Sequence, residues 1–216
     1  MRPEPSLTLT KRIVAALTER IVNGSLPPGA PVRQDQVAEE FGSSHVPVRE
    51  AFRLLEAEGL LVALPRKGVR VAPLDPESVV EISLMRAALE GLALKQAMSR
   101  LTPLDLAIAK KAMARGVKTR SVSIWEMANR ELHMALVRPC GMPLLVAAIA
   151  ELHRKSARYL FATWKRLNWR SRSDAEHVAL LKCVEARDAA GADEILRRHI
   201  IDAGSALATQ LGEPKG

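Results

Sequence analysis

From Leu9 onward apolar residues return every fourth position (Leu9, Ile13, Leu17, Ile21), and Gly24 follows Asn23 where a left-handed helix stop belongs. That spacing predicts a first helix. The segment SLPPGAPV, dense in Pro and Gly, reads as a turn, and QDQVAEEF reads as a short second helix closed by Gly42. Ser43 and Ser44 are candidate N-caps for a third helix through VPVREAFRLLEAEG, with Val48, Phe52 and Leu55 on its inner face and Gly59 as its stop. Pro47 suits the first turn of that helix, where its missing N–H has no intrahelical use. LLVAL and VRV then form two apolar runs joined by Pro65, Arg66, Lys67 and Gly68, a hairpin with a basic tip. Three short helices and such a hairpin make a winged helix-turn-helix.

Beyond Pro73 no further strand pattern occurs, and PLDPES is a polar, Pro-containing joint. Six helices are expected near 76–99, 103–117, 121–138, 143–167, 172–190 and 192–211. Asp75, Thr102 and Ser121 stand at their starts, and Gly116, Pro139, Gly141 and Gly191 are read as parts of their connections. The expected fold is therefore mainly α. A winged helix-turn-helix covers residues 1–72, a linker 73–77, and an all-α antiparallel helical bundle 78–216.

Composition narrows the chemistry. With 48% apolar and 26% charged residues, the 216-residue chain has an ordinary globular make-up. Aromatics at 3% are too few for a base-stacking platform. The longest apolar run, Met142 to Ala150, is far below the ~20 residues of a membrane span, and the first residues lack the apolar stretch of a signal peptide. No membrane association is expected. Two isolated cysteines, Cys140 and Cys183, suit a reducing cytoplasm rather than a disulfide framework.

The net charge of +8 favours a polyanionic partner, but its distribution matters more. Residues 1–72 hold ten Lys or Arg against eight Asp or Glu, a net charge of only +2. One such module would grip DNA weakly, since phosphate neutralisation supplies much of the affinity. A homodimer on double-stranded DNA is the expected remedy. In a helix-turn-helix the second helix places its N-terminal side chains at base edges in the major groove. Here Ser44 and His45 can reach phosphates or bases, Val46 can touch a thymine methyl, Pro47 belongs to the same DNA-facing turn, and Arg49 can reach a guanine edge or a phosphate. Arg66, Lys67 and Gly68 form a wing tip for a neighbouring groove or backbone. The bland alternative, with Arg49 or Arg53 paired to Glu50 or Glu56, stays open.

The run from Gly29 to Val71, with PPGAPV, QVAEEFG, SSHVPVREAFRLLEAEGLL and RKGVRV, closely resembles the DNA-binding domain of the GntR family of bacterial transcriptional regulators. The resemblance implies a sequence-specific regulator, most often a repressor, acting as a dimer on a palindromic operator. His45 stands where that family most often has Arg, and Gln34 where it commonly has Glu.

Five histidines are present, and His133, His177 and His199 fall on three different expected helices, with Asn129 one turn before His133. From spacing alone, scattered histidines of this kind are more often surface or satisfied core residues, and His153 reads as ordinary. The segments LMRAALEGLALKQA, ANRELHMAL and SDAEHVALLKCVEARDAAGADEILRRHI are similar to the FCD effector domain of FadR-type GntR regulators, and six helices suggest the VanR-like variant. That resemblance implies a divalent transition metal, Zn or Ni, held by His133, His177 and His199, with Asn129 in place of the usual Asp. It also implies a small carboxylate effector bound by Arg86. Without the resemblance, Arg86 and Glu90 at i, i+4 are equally a helix-surface ion pair.

Two other function classes compete. A metal-dependent hydrolase could use three histidines to activate water, with the DNA-binding domain as an accessory. It needs a general base, but the sequence has no HExxH, and Glu131 points off the His133 face. A non-specific nucleoid binder would have no use for a separate pocket domain.

Overall fold

Residues 8–164 and 170–212 are described by a computed structural model, and contacts divide the chain between Leu74 and Asp75. In the first unit, α1 (Leu9–Val22) starts beneath Thr8, whose hydroxyl accepts the Lys11 N–H. It ends at Gly24 with φ +81°, a conformation that only glycine adopts without strain. Helices α2 (Gln34–Glu40) and α3 (His45–Ala57) follow. Ser44 occupies the N-cap position of α3, but its side chain makes no capping hydrogen bond, and the Ser43 hydroxyl donates to the Ser44 carbonyl instead.

Strands β2 (Leu61–Leu64) and β3 (Gly68–Val71) form the expected hairpin, with Leu64 opposite Gly68. The turn reading of SLPPGAPV is corrected at its end. Pro31–Val32 is a third strand, β1, antiparallel to β3, so the sheet order is β1-β3-β2. Two residues are too few to show an alternation, and an edge position tolerates the missing N–H of proline. The core joins Ile13, Leu17, Val48, Phe52, Leu55 and Val71, all nearly inaccessible.

The second unit contains α4 (Pro76–Ala97), α5 (Pro103–Lys118), α6 (Val122–Val137), α7 (Pro143–Thr163), α8 (Arg170–Glu185) and α9 (Ala189–Gly212). Asp75 accepts the N–H groups of Glu77 and Ser78, and Thr102 and Asp105 form a reciprocal capping box. Helix α4 therefore begins inside the segment expected to be linker. Gly116 and Gly191 are not connections. Both lie inside helices, because a single glycine costs an α-helix only about 1 kcal/mol and the flanking apolar pattern continues through it. Helix α8 stops earlier than expected, at Glu185, where Arg187 takes φ +59° and its guanidinium donates to the carbonyls of Met98 and Leu101. The expected end of the 143–167 helix and Trp169 lie outside the described residues.

Helices α4 and α9 approach closely because their facing residues are small. A Cβ at Gly204 would stand 2.0 Å from Ser83 Oγ. That approach carries Arg86 and Glu90 of α4 toward His199 of α9. Among the described residues, no helix is long and apolar enough to cross a membrane.

Candidate DNA interface and metal centre

At the start of α3, Ser44, His45, Val46 and Arg49 are exposed, while Pro47 is half-buried and Val48 faces the core. Amphipathicity explains the split: the residues that fasten α3 inward recur at helical spacing and leave the N-terminal turn outward. Among the described residues, Arg49 and Arg53 have no acidic side chain within ion-pair distance, and Glu50 instead accepts from Thr10. His45 Nδ1 lies 3.6 Å from Asp35 Oδ1. At the wing, Arg66, Lys67 and Gly68 are exposed, with Arg66 at φ +61° and Gly68 at φ +73°.

The second unit buries four of the five histidines together. His133 on α6, His177 on α8 and His199 on α9 are each at most 5% exposed, and their ligand atoms lie within 4.8 Å of one another. A Zn–N distance near 2.0–2.1 Å allows nitrogens about 3.3–4.2 Å apart, so only a slight contraction would close them on one ion. His133 Nδ1–H donates to Glu90 Oε2 at 2.7 Å, which turns Nε2 of that ring toward the other histidines as a bare acceptor. His199 Nδ1 is held in the same way by Glu176 Oε2 at 2.8 Å, and Arg172 in turn donates to Glu176. Buried and without a hydrogen-bond partner are His133 Nε2, His177 Nε2 and Asn129 Oδ1. Orphaned acceptors of this kind are costly unless something cationic or protic meets them. The donor set therefore fits a borderline divalent cation such as Zn or Ni.

His153 corrects its reading as an ordinary residue. Its Nε2 lies 3.1 Å from both Glu90 Oε1 and Arg86 Nη2, so the neutral ring serves one of them, as donor to the carboxylate or acceptor from the guanidinium. Arg86 and Glu90 form the i, i+4 ion pair, but it is buried and does not lie on the helix surface. Arg86 Nε donates to Glu90 Oε1 at 2.8 Å, and the arginine side chain also lines a cavity with Trp125, Glu126, Asn129, His153 and His199. The Nε edge is thereby occupied, Nη2 is beside His153, and Nη1 makes no hydrogen bond among the described residues. Trp125 is cavity wall and pairs with Trp164 at 5.5 Å between ring centroids. Glu131 lies away from the histidines and pairs with Arg115.

Sequence reasoning gave Glu126 and Glu176 no role, read His153 as ordinary and took Glu90 only as the ion-pair partner of Arg86. The available signal was the rarity of histidine in this chain and the i, i+4 relation of Arg86 to Glu90.

Burial would push the Glu90 carboxyl up, but Arg86, His153 and His133 together hold it well below the usual range. Burial lowers His133 and His177, and burial followed by Arg86 brings His153 down to about 3. These imidazoles resist protonation more in the folded chain than in the unfolded one, so proton uptake favours unfolding. Stability of the chelator-treated protein is then fully present above the ordinary histidine value near pH 6.5 and falls as pH drops below it. The slope reaches about 1.4 kcal/mol per pH unit for each histidine. Denaturant titrations at pH 7.5 and 5.5 should show a clear loss, and equal stability at both would contradict the neutral cluster.

Residues 9–71 match the family described as bacterial regulatory proteins, gntR family, and residues 81–202 match the FCD domain. The chain belongs to the gntR family of regulators. This gntR-family chain is 28% identical over 198 residues to the HTH-type transcriptional repressor GlaR of Escherichia coli, spanning 86% of this chain and 89% of that protein. It is 27% identical over 191 residues to the regulator McbR of the same organism, spanning 86% of each. The solved structure of E. coli McbR/YncC superposes with a TM-score of 0.78 at 25% identity, covering 95% of this chain and all of that one. A putative GntR regulator from Rhodococcus gives 0.80 at 19% identity, which shows the fold alone. The matching families and relatives are transcriptional regulators and not enzymes, so the hydrolase reading falls.

Proposed function

We propose that this gntR-family regulator is a homodimeric repressor of the FadR-type, VanR-like kind. It binds a palindromic operator and is controlled by a small carboxylate in a metal-containing pocket of its second unit. The observation that carries the pocket reading is the set of unpartnered buried acceptors, His133 Nε2, His177 Nε2 and Asn129 Oδ1, beside the Arg86-lined cavity. His133, His177 and His199 would hold the ion, with Asn129 as a weaker oxygen donor. A bound divalent cation supplies positive charge that attracts and orients a carboxylate. Neutral imidazoles and an amide leave that charge uncompensated, so an acidic ligand is favoured beside it. Metal and acid should then bind with positive coupling, each raising the affinity of the other by the same factor. Arg86 adds a charge-assisted contact from Nη1.

For DNA, the exposed first turn of α3 supports base contacts by His45, Val46 and Arg49, and the wing tip supports backbone contacts by Arg66 and Lys67. Dimerisation compensates for the +2 charge of each winged module.

Genomic selection of bound fragments, followed by footprinting with and without candidate acids, tests the whole reading. On the selected site, Arg49→Ala should weaken specific binding by about 1–3 kcal/mol, roughly tenfold to over a hundredfold. Unchanged affinity at fixed salt, together with abolition by Arg66→Ala, would show that the reading element is the wing and not α3.

A further inference from the structure

The cavity presents a second charged side chain that the carboxylate reading does not use. Glu126 lies on α6 one turn before Asn129 and lines the same cavity as Arg86. Its side chain is only 14% exposed, and it accepts no hydrogen bond among the described residues. Arg130 Nε stands 3.8 Å away in a loose i, i+4 ion pair, beyond hydrogen-bond distance.

The neighbouring polar groups do little to help it. Ser83 Oγ–H donates to the Val79 carbonyl at 2.8 Å, and Ser156 Oγ–H to the His153 carbonyl at 3.0 Å. Both serine protons are therefore engaged, and these hydroxyls have only acceptor capacity left. Asn129 Oδ1 is a further unpartnered acceptor, and only Ser173 Oγ is a lining hydroxyl without an engaged proton. Burial pushes the Glu126 carboxyl up, with Arg130 and Arg86 opposing that rise. A carboxylate so placed is relieved by a ligand that brings a proton donor and is strained by one that brings a second negative charge. Trp125, Leu160 and Leu207 line the same cavity and offer apolar walls for a short carbon chain.

We propose that Glu126 is a specificity-determining residue that accepts a hydrogen bond from a hydroxyl or ammonium on the effector, so the pocket selects donor-bearing monocarboxylates and rejects dicarboxylates. The inference rests on the carboxylate reading above, with Arg86 taking one end of the ligand and Glu126 the other. A site built to receive a hydrogen bond discriminates strongly, because an analogue lacking the donor leaves the buried acceptor unmet. A carboxylate in that place adds like-charge repulsion.

The test uses the full-length protein and two matched acid series. One is butyrate, γ-hydroxybutyrate, γ-aminobutyrate and glutarate; the other is propionate, β-hydroxypropionate, β-alanine and succinate. Within each, only the substituent on the terminal carbon changes, from hydrogen (leaving a methyl end) to hydroxyl, ammonium and carboxylate. Calorimetry on the parent protein should rank a hydroxyl- or ammonium-bearing acid at least about tenfold above both the methyl and the dicarboxylate members. Comparison of the two donor-bearing members tells hydroxyl from ammonium. Glu126→Gln keeps the shape and removes the charge, and should shrink the gap to the dicarboxylate below about threefold, with a melting curve confirming that it folds. Arg86→Gln should weaken all members alike. A dicarboxylate bound as tightly as the donor-bearing acids, or an unchanged ranking in Glu126→Gln, overturns the role of Glu126 while leaving the carboxylate reading intact. Failure of every acid to bind the parent, metal-loaded or not, overturns that reading and this inference with it.

Discussion

Replacing Glu90 with alanine is expected to destabilise the second unit by about 3–5 kcal/mol, the range for removing one member of a buried ion pair. Glu90 is fully buried, and its two oxygens meet Arg86, His133 and His153. Without it, a guanidinium only 11% exposed loses its counter-charge, and the Nδ1–H of His133 loses its acceptor. Replacing the two charged partners together, as Arg86→Met with Glu90→Leu, should recover most of that loss, because no uncompensated charge then remains. Urea titrations of the single and double variants decide the matter. A Glu90→Ala loss below 1 kcal/mol would mean that the cluster is not the electrostatic centre its geometry describes.

Chelator-treated protein given Zn or Ni at roughly a hundred times the dissociation constant is expected to gain about 2.7 kcal/mol from binding the folded state alone. For a chain of this size that raises the melting temperature by about 5–10 °C. His177→Ala should erase the gain. The His177 ring is buried with an unpartnered Nε2, so its removal leaves no broken hydrogen bond at that atom to confuse the result. Asn129→Asp, which restores a negative oxygen donor, should tighten metal binding in the absence of acid and reduce the coupling between metal and acid. Equal thermal shifts in the parent and His177→Ala would place the ion elsewhere.

Much of the winged module could be read from its punctuation. Helix stops at Gly24, Gly42 and Gly59 and the Pro65–Gly68 tip are local features, set by φ preferences of single residues. β1 escaped because a two-residue edge strand exists only through its pairing with β3. In the second unit the helices were legible from caps and periodicity, and a likeness of motifs marked out His133, His177 and His199. His153 and Glu90 were not legible in the same way. Glu90 shows only its i, i+4 relation to Arg86 and His153 shows nothing in its own neighbourhood, and the two meet because α7 packs against α4. Gly116 and Gly191 mark the opposite limit, where a local stop signal gave way to packing: Gly116 is buried, and a Cβ there would sit 3.5 Å from Ala128.

The Trp125–Trp164 pair gives the pocket an optical property of its own. Trp125 is a wall of the cavity, its indole is tilted 51° to that of Trp164, and the Arg170 guanidinium lies 5.4 Å from the Trp164 ring. Two indoles this close share excitation energy, so a change in the surroundings of one alters the light emitted by both. A molecule entering beside Trp125 changes the polarity around its indole, and the intrinsic fluorescence of the protein should shift without any attached dye. Occupancy of the cavity can then be followed in real time, in the same cuvette that holds the DNA.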